Sequence, residues 1–280
     1  MVKDLVSVII PNYNYAEYLQ ESIDSVLNQD YPAIEIIVVD DGSTDNSSCI
    51  LESYGSKIKV VQISNSGAPT ARNFGLMNAH GSYIAYLDSD DFWISTKITT
   101  QVKRIRETKT DLVYCQMAIL ETESNFRTVS NESREGNFRH EFLRNPTKTP
   151  FPPSTVLMTR NLVARVGMWD TTFKSPAEDF DYFRRCAKFT DFSIADGVLV
   201  VHRNHAKSLT SSSLLKYYLD NRLGLIKLFA DEYPDLSFLA TRVSWIKLNL
   251  SYAKSFLKAF NFIEGVKCIL KCFLPHTNKL

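Results

Sequence analysis

The chain has no excess of charge of either sign and no long apolar run. Its 280 residues contain 32 Lys and Arg against 31 Asp and Glu, so global charge recruits neither nucleic acid nor an anionic surface. No run of about 18 apolar residues is present, which excludes a conventional membrane-spanning helix. The N-terminus leads directly into a strand pattern, and we expect no secretory signal.

Cysteine is scarce, and its spacing fits no scaffold. The five cysteines show neither the CxxC nor the Cys/His spacings that a zinc site or a disulfide framework requires. We therefore expect a reducing compartment and a cytoplasmic protein. Because 44% of the residues are hydrophobic, the chain can bury one substantial core and still carry a helical appendix.

Strand and helix patterns alternate through the first half of the chain. Short β-branched runs predict strands, and apolar residues at helical spacing predict the helices between them. The strands are expected at residues 6–10, 34–39, 58–63 and 83–87, and the helices at 17–27, 46–54, 71–78 and 96–107. This order predicts an α/β fold, with a mostly parallel, Rossmann-like sheet flanked by helices and ligands bound beyond the carboxyl ends of the strands.

Acidic clusters follow two of these strands. Asp40 and Asp41 end the second strand, and Asp88-Ser89-Asp90 follows the fourth. An isolated Asp-x-Asp often only solvates a loop or caps a helix. Two clusters at one sheet edge repel each other unless a cation or hydrogen-bond donors offset the charge. The pattern therefore favours a site for Mg²⁺ or Mn²⁺, which prefer oxygen ligands.

Four segments, taken together, resemble the family 2 glycosyltransferases. They occur in the family's order and spacing: VSVIIPNYN at residues 6–14, IVVDDGSTD at 37–45, GAPTARN at 67–73 and YLDSDD at 86–91. The resemblance is firm over about residues 5–105, weaker to about 210 and uninformative beyond. It implies a GT-A fold and an inverting glycosyltransferase that uses a nucleotide-diphosphate sugar, with UDP as the expected nucleotide and GDP or dTDP as alternatives.

The resemblance also implies roles in nucleotide binding. Pro11 and Tyr13 would line the nucleobase site, with Tyr13 against the ring, and Asp41 would accept a hydrogen bond from the base. Arg72 would hold the base or the diphosphate. A packed Tyr13 and a solvated Arg72 are the alternatives.

The metal and diphosphate sites are implied in the same way. Asp90 would be the principal metal contact, and Asp88 would lie near the donor ribose or sugar and share the metal. In HRNH at residues 202–205, Arg203 and His205 resemble an R-x-H element that could meet the diphosphate. Metal ligation by His205 is a weaker alternative, because a single histidine is more often structural.

An acidic pair in the second half resembles the family's ED element. Glu178 and Asp179 lie at the start of a predicted helix, within PAEDFDY at residues 176–182. Inversion needs a carboxylate that deprotonates the acceptor hydroxyl, and Asp179 is the candidate, with Glu178 second and Asp181 as a rival. Two first-turn carboxylates could instead only favour the helix dipole.

The end of the chain changes character. Helical patterns cover residues 214–233 and 236–262, and a shorter one runs through 273. Seven basic residues and one acidic residue lie between positions 242 and 280. Such a basic amphipathic segment can lie in a lipid headgroup layer at the inner face of the cell membrane, or its aromatics can pack on the catalytic domain.

These patterns predict a catalytic domain at residues 1–212, followed by a helical region at 213–280. Residues 1–105 would form the nucleotide-sugar half and 106–212 the acceptor half. The acceptor would be a saccharide or a lipid-linked glycan. Two rivals are a nucleotidyltransferase, which would want a Gly-rich phosphate loop after the first strand, and a non-catalytic binding protein of the same fold.

Overall fold

The computed structural model describes residues 2–122, 125–127, 134–144, 149, 151–173, 177–205, 245–246, 248–254 and 262–271. The chain divides into two compact units. The first comprises residues 1–137, 150–172 and 185–206, and the second 138–149, 173–184 and 207–280. The predicted boundary between residues 212 and 213, and the helix predicted at 214–233, lie outside the described residues.

Strands and helices alternate through the first half as predicted. In chain order the elements are β1 (Val2–Asn12), α1 (Ala16–Leu27), β2 (Ile34–Asp40), α2 (Ser47–Ser53), β3 (Lys59–Gln62), α3 (Ala68–Asn78), β4 (Gly81–Tyr86), β5 (Phe92–Trp93), α4 (Lys97–Thr108), β6 (Leu112–Thr122), β7 (Asn125–Arg127), α5 (Arg139–Arg144), β8 (Leu157–Thr159), α6 (Arg160–Val166), α7 (Ala177–Cys186), β9 (Phe192–Arg203) and α8 (Phe262–Lys271).

Nine of the described strands form one sheet in the first unit. Its order is β3-β2-β1-β4-β8-β6-β9-β5, and β7 pairs with β6. The first four strands in this order, β3, β2, β1 and β4, are parallel. Beyond β4 the sheet is mixed, because β8 runs antiparallel to both β4 and β6, whereas β9 runs parallel to β6. The predicted fold class is confirmed, and its parallel character is concentrated in the first half.

The parallel strands bring their carboxyl ends to one edge. Asn12 at the end of β1 pairs in register with Asp40 at the end of β2, and Ile9 pairs with Tyr86 at the end of β4. The apolar run of β1 is fully buried, and α3 packs closely against it. A Cβ added to Gly75 would lie 2.3 Å from Ile9 Cγ2. The close packing of α3 on β1 therefore requires a residue without a side chain at this position.

The second unit is helical where it is described. The rings of Phe142 on α5 and Phe180 on α7 meet edge to face, with centroids 5.4 Å apart. Residues 245–246 and 248–254 are helical, as is α8. Trp245 Nε1 donates a hydrogen bond to the Lys271 carbonyl at 3.1 Å. No helix among the described residues is both long enough and apolar enough to cross a membrane.

Candidate active site

The acidic loop, residues 88–91, follows β4 at the carboxyl edge of the parallel strands. The side chains of Asp88 and Asp90 are 29% and 13% exposed, and Asp91 is buried. Burial, and then the negative charges of Asp91 and Asp88, raise the pKa of Asp90 to about 8. His205 Nε2 lies 3.1 Å from Asp90 Oδ2. The loop therefore concentrates negative charge that a cation would stabilise.

Arg72 reaches the acidic loop from α3. It is buried, and its Nη2 donates to Asp88 Oδ1 at 2.9 Å. Its guanidinium also lies 4.6 Å from the ring centroid of Trp169. The neighbouring Asn73 side chain exchanges two hydrogen bonds with the Trp169 backbone, at 2.9 and 2.8 Å. Arg72 is thus buried and paired, not solvated, and its role toward the donor stays a prediction.

The segment that ends β9 packs against α1. Arg203 forms an ion pair with Glu21, and its guanidinium carbon lies 5.1 Å from the Tyr18 ring centroid and 5.0 Å from that of Phe92. The His205 ring lies 4.9 Å from the Tyr18 ring. The structure therefore brings His205 to the acidic loop and pairs the charge of Arg203 within the protein. Their contacts with a diphosphate stay predictions.

Tyr15 borders the same carboxylates and is not predicted from the sequence. Its ring lies 5.5 Å from that of His205. Burial, and then the negative charges of Asp90 and Asp88, raise the pKa of Tyr15 above its ordinary value. The hydroxyl therefore keeps its proton and can donate a hydrogen bond at this edge.

Asp41 organises the loop that precedes α3. Its two carboxylate oxygens accept the backbone N–H groups of Ser66 at 2.7 Å and Gly67 at 2.8 Å. Gly67 has φ +90°, a conformation that favours glycine. Burial raises the pKa of Asp41, although these two hydrogen bonds oppose the change. Pro11 is half-buried and Tyr13 is 43% exposed; the nucleobase contacts of all three predicted residues stay predictions.

Reciprocal hydrogen bonds join the loop after β1 to the loop after β2. Asn14 has φ +58°, and its Oδ1 accepts the N–H of Thr44 at 2.7 Å and of Asp45 at 3.3 Å. In return, Ser43 Oγ accepts the Asn14 N–H at 3.0 Å, and Asp45 Oδ2 accepts the Ala16 N–H at 2.9 Å. These positions are not predicted as functional; the turn-forming Asn, Ser and Asp were the available signal.

Asp91, Ser154 and His202 are also absent from the predicted set. Asp91 accepts hydrogen bonds from Ser154 Oγ at 2.6 Å and from the Arg203 N–H at 3.2 Å, and it lies 2.9 Å from His202 Nδ1. Burial lowers the pKa of His202, but the charge and hydrogen bond of Asp91, together with the charges of Asp90 and Asp88, outweigh burial and raise that pKa to about 9. The local signals were the position of Asp91 beside the Asp-x-Asp element and that of His202 beside the R-x-H element.

The acidic pair proposed for acceptor activation lies in the second unit. Glu178 and Asp179 occupy the first turn of α7; Glu178 is buried and Asp179 is half-buried. The rival, Asp181, is buried and pairs with Arg184 at 2.8 Å. Asp181 therefore has a structural partner. The general-base assignment to Asp179 stays a prediction.

The acidic loop fits a divalent cation whose coordination is completed by substrate. Among the described residues, no group of three or more His, Cys, Asp and Glu side chains is arranged to hold a metal. Mg²⁺ needs only one or two protein carboxylates when phosphates and waters supply the other oxygens. Asp88 and Asp90 offer such oxygens, and the pKa of Asp90 is raised by burial and then by the charges of Asp91 and Asp88, which a metal would offset.

Known proteins share much of this sequence. The family described as "Glycosyl transferase family 2" matches residues 7–167. An uncharacterized glycosyltransferase of Rickettsia prowazekii is 31% identical over 264 residues, covering 90% of this chain and 82% of the relative. TuaG of Bacillus subtilis, named for teichuronic acid biosynthesis, is 46% identical over 109 residues. These residues cover 38% of this chain and 43% of TuaG.

Solved structures share the fold at low sequence identity. Residues 1–349 of S. aureus TarS, in complex with UDP-GlcNAc, align with a TM-score of 0.63 and 19% identity, over 95% of this chain and 90% of that chain. The mannosyltransferase PcManGT of Pyrobaculum calidifontis, in complex with GDP-Man and Mn²⁺, aligns with a TM-score of 0.60 and 19% identity. The alignment covers 99% of this chain and 77% of that chain. The fold is GT-A, and the chain belongs to glycosyltransferase family 2.

Proposed function

We propose that the chain is an inverting transferase that moves a sugar, hexosyl in type, from a UDP-sugar to a hydroxyl of a saccharide or lipid-linked glycan in polysaccharide biosynthesis. The acidic loop carries this proposal, because Arg72 pairs with Asp88 and His205 with Asp90 at the carboxyl edge of the sheet. TarS is described with UDP-GlcNAc and TuaG is named for teichuronic acid biosynthesis, which supports a UDP-sugar donor and a glycan acceptor.

Asp88 and Asp90 would hold Mg²⁺ or Mn²⁺. When bound, the ion stabilises the leaving diphosphate as a Lewis acid. Arg72 holds the Asp88 carboxylate in place through its 2.9 Å ion pair, and His205 Nε2, 3.1 Å from Asp90 Oδ2, orients the second carboxyl group. PcManGT, which is described with Mn²⁺, supports a metal-dependent reaction.

On the acceptor side, Asp179 would act as the general base. It would take the proton from the acceptor hydroxyl as that oxygen bonds to the anomeric carbon and the bond to the nucleoside diphosphate breaks. Glu178 would orient the acceptor or the base. If so, Asp179→Asn retains nucleotide binding and loses transfer, whereas Asp181→Asn retains both. Equal transfer by Asp179→Asn and the wild type would contradict this assignment.

Binding of the nucleotide tests the central claim. Calorimetry would compare UDP, GDP and dTDP with and without Mn²⁺, using the wild type, Asp90→Asn and Asp111→Asn. Asp111 is a matched control, because its carboxylate lies far from the acidic loop. It accepts a hydrogen bond from Thr159 Oγ1, and Thr159 pairs with Tyr83 near the start of β4. We expect metal-dependent UDP binding that only Asp90→Asn loses. A folded wild type that binds none of the three nucleotides would refute the proposal.

The C-terminal helices would bring the enzyme to an anionic membrane surface at the inner face of the cell membrane. On α8, Val266, Ile269 and Leu270 are 50%, 36% and 58% exposed, while Cys268 on the same helix is buried. Seven basic residues against one acidic residue between positions 242 and 280 supply complementary charge. Co-sedimentation with vesicles containing anionic lipid, lost in Leu270→Ser, is expected. Equal binding to neutral vesicles would contradict it.

A further inference from the structure

Asp91 joins three separate segments at the candidate active site. Its side chain is fully buried and accepts hydrogen bonds from Ser154 Oγ at 2.6 Å and from the Arg203 N–H at 3.2 Å. His202 Nδ1 lies 2.9 Å from the same carboxylate. Asp91 thus connects the acidic loop, the turn at residues 153–155 and the carboxyl end of β9.

Ser154 makes the connection reciprocal. Its hydroxyl donates to Asp91 Oδ2 and accepts the Asp88 N–H at 3.1 Å. The Asp91 N–H in turn donates to the Asp88 carbonyl at 3.0 Å. The backbone that carries the two predicted metal carboxylates is therefore held at both ends by the Asp91–Ser154 pair.

A carboxylate suits this position better than an amide does. Ser154 Oγ and the Arg203 N–H act as donors, and His202 Nδ1 can donate as well, whereas an ionised carboxylate only accepts. Asparagine would turn an NH₂ group toward one of these donors. The Asp91→Asn substitution would therefore remove one of these hydrogen bonds while the volume of the side chain stays the same.

The segment that Asp91 holds also carries His205. Arg203 is fixed through its backbone by Asp91 and through its side chain by Glu21 and the rings of Tyr18 and Phe92. His205, two residues later, lies 3.1 Å from Asp90 Oδ2. The placement of His205 against Asp90 therefore depends on the same buried carboxylate that fixes the loop.

We propose that Asp91 is a positioning residue that holds Asp88 and Asp90 in register with the segment 202–205, so that metal and donor meet a preformed site. This inference rests on the proposed function. Asp91 does not itself touch substrate. Residues that orient metal ligands without binding the metal change metal affinity by about 10- to 100-fold when they are replaced.

The test measures nucleotide binding in the full chain as Mn²⁺ is titrated. We expect Asp91→Asn to raise the Mn²⁺ concentration for half-maximal UDP binding by about tenfold, with binding recovered at saturating Mn²⁺. Asp90→Asn, which lacks one of the proposed metal-binding carboxylates, should not recover UDP binding at saturating Mn²⁺. Asp111→Asn, the carboxylate-to-amide control, should need as much Mn²⁺ as the wild type. Ser154→Ala keeps all charges and should shift the Mn²⁺ demand in the same direction, so it replaces Asp91→Asn if that variant does not fold.

The possible failures are distinguishable. A wild type that binds no nucleotide at any Mn²⁺ concentration overturns the proposed function and this inference with it. A wild type that binds, with Asp91→Asn and Ser154→Ala unchanged in Mn²⁺ demand, overturns the positioning role alone. A shift that Asp111→Asn reproduces to the same extent also overturns it, because the effect would then follow general stability.

Discussion

Lys97 is a buried cation beneath the candidate active site, and it should make stability depend on pH. Its side chain is fully buried, where Nζ lies 3.8 Å from the Trp93 ring centroid and donates to Gln101 Oε1 at 2.7 Å. Trp93 Nε1 in turn donates to the Ser154 carbonyl. Burial lowers the pKa of Lys97 from 10.5 to about 8. We therefore consider replacement of this lysine by methionine.

The size and sign of the effect follow from this pKa. Below pH 8 the lysine is protonated in both the folded and unfolded states, so the desolvation cost is fully present. Between pH 8 and 10.5 the unfolded state binds more protons, and the free energy of unfolding of the wild type rises with pH. A pKa that is lower by about 2.5 in the folded state, at about 1.4 kcal/mol for each pH unit, gives a rise of about 3.5 kcal/mol. Lys97→Met lacks this rise.

Urea unfolding at several pH values between 7 and 10.5 measures the difference between the wild type and Lys97→Met. Groups that titrate in both proteins cancel in that difference, which should favour the wild type increasingly above pH 8. At pH 7 the free energies of unfolding of the two proteins should be closer, because methionine removes the buried charge but leaves Gln101 Oε1 without the Lys97 donor. Lys103→Met, on the exposed side of α4, is the control. A pH-independent difference for Lys97→Met would refute the reasoning.

Three further substitutions test the packing and the loops. Gly75→Ala forces a methyl against Ile9 and should cost about 1–3 kcal/mol in urea unfolding, whereas Met77→Ala, exposed on the same helix, should cost about 0.5 or less. Arg72→Lys should weaken Mn²⁺-dependent UDP binding about tenfold by calorimetry, because lysine cannot both stack and pair as arginine does; unchanged affinity contradicts this. Asn14→Ala should lower the melting temperature more than Asn14→Gly, because glycine relieves the positive φ while both lose the side-chain acceptor; equal losses contradict this.

Local periodicity was sufficient to predict the parallel half of the sheet. The apolar runs of β1, β2 and β4 and the apolar faces of the intervening helices appear within short windows, so the parallel pairing and the shared carboxyl edge follow from general topology rules. The pairing of β9 with β6 and the antiparallel insertion of β8 between β4 and β6 join residues about 45 to 80 positions apart. No short window carries that information, because such pairing is fixed by tertiary packing.

The candidate site divides in the same way, and electrostatics explains why. The sequence displays three carboxylates within four residues, which at close range could not all remain ionised without compensation. The structure supplies a separate hydrogen-bonding partner for each: Arg72 for Asp88, His205 for Asp90, and for Asp91 the groups of residues 154, 202 and 203. These partners lie 16 to 115 positions away along the chain, so the pattern identifies the charges but not what stabilises them. Because each partner belongs to the protein, the arrangement of the three side chains is set by folding, and the proposed metal site would need little reorganisation to bind a cation.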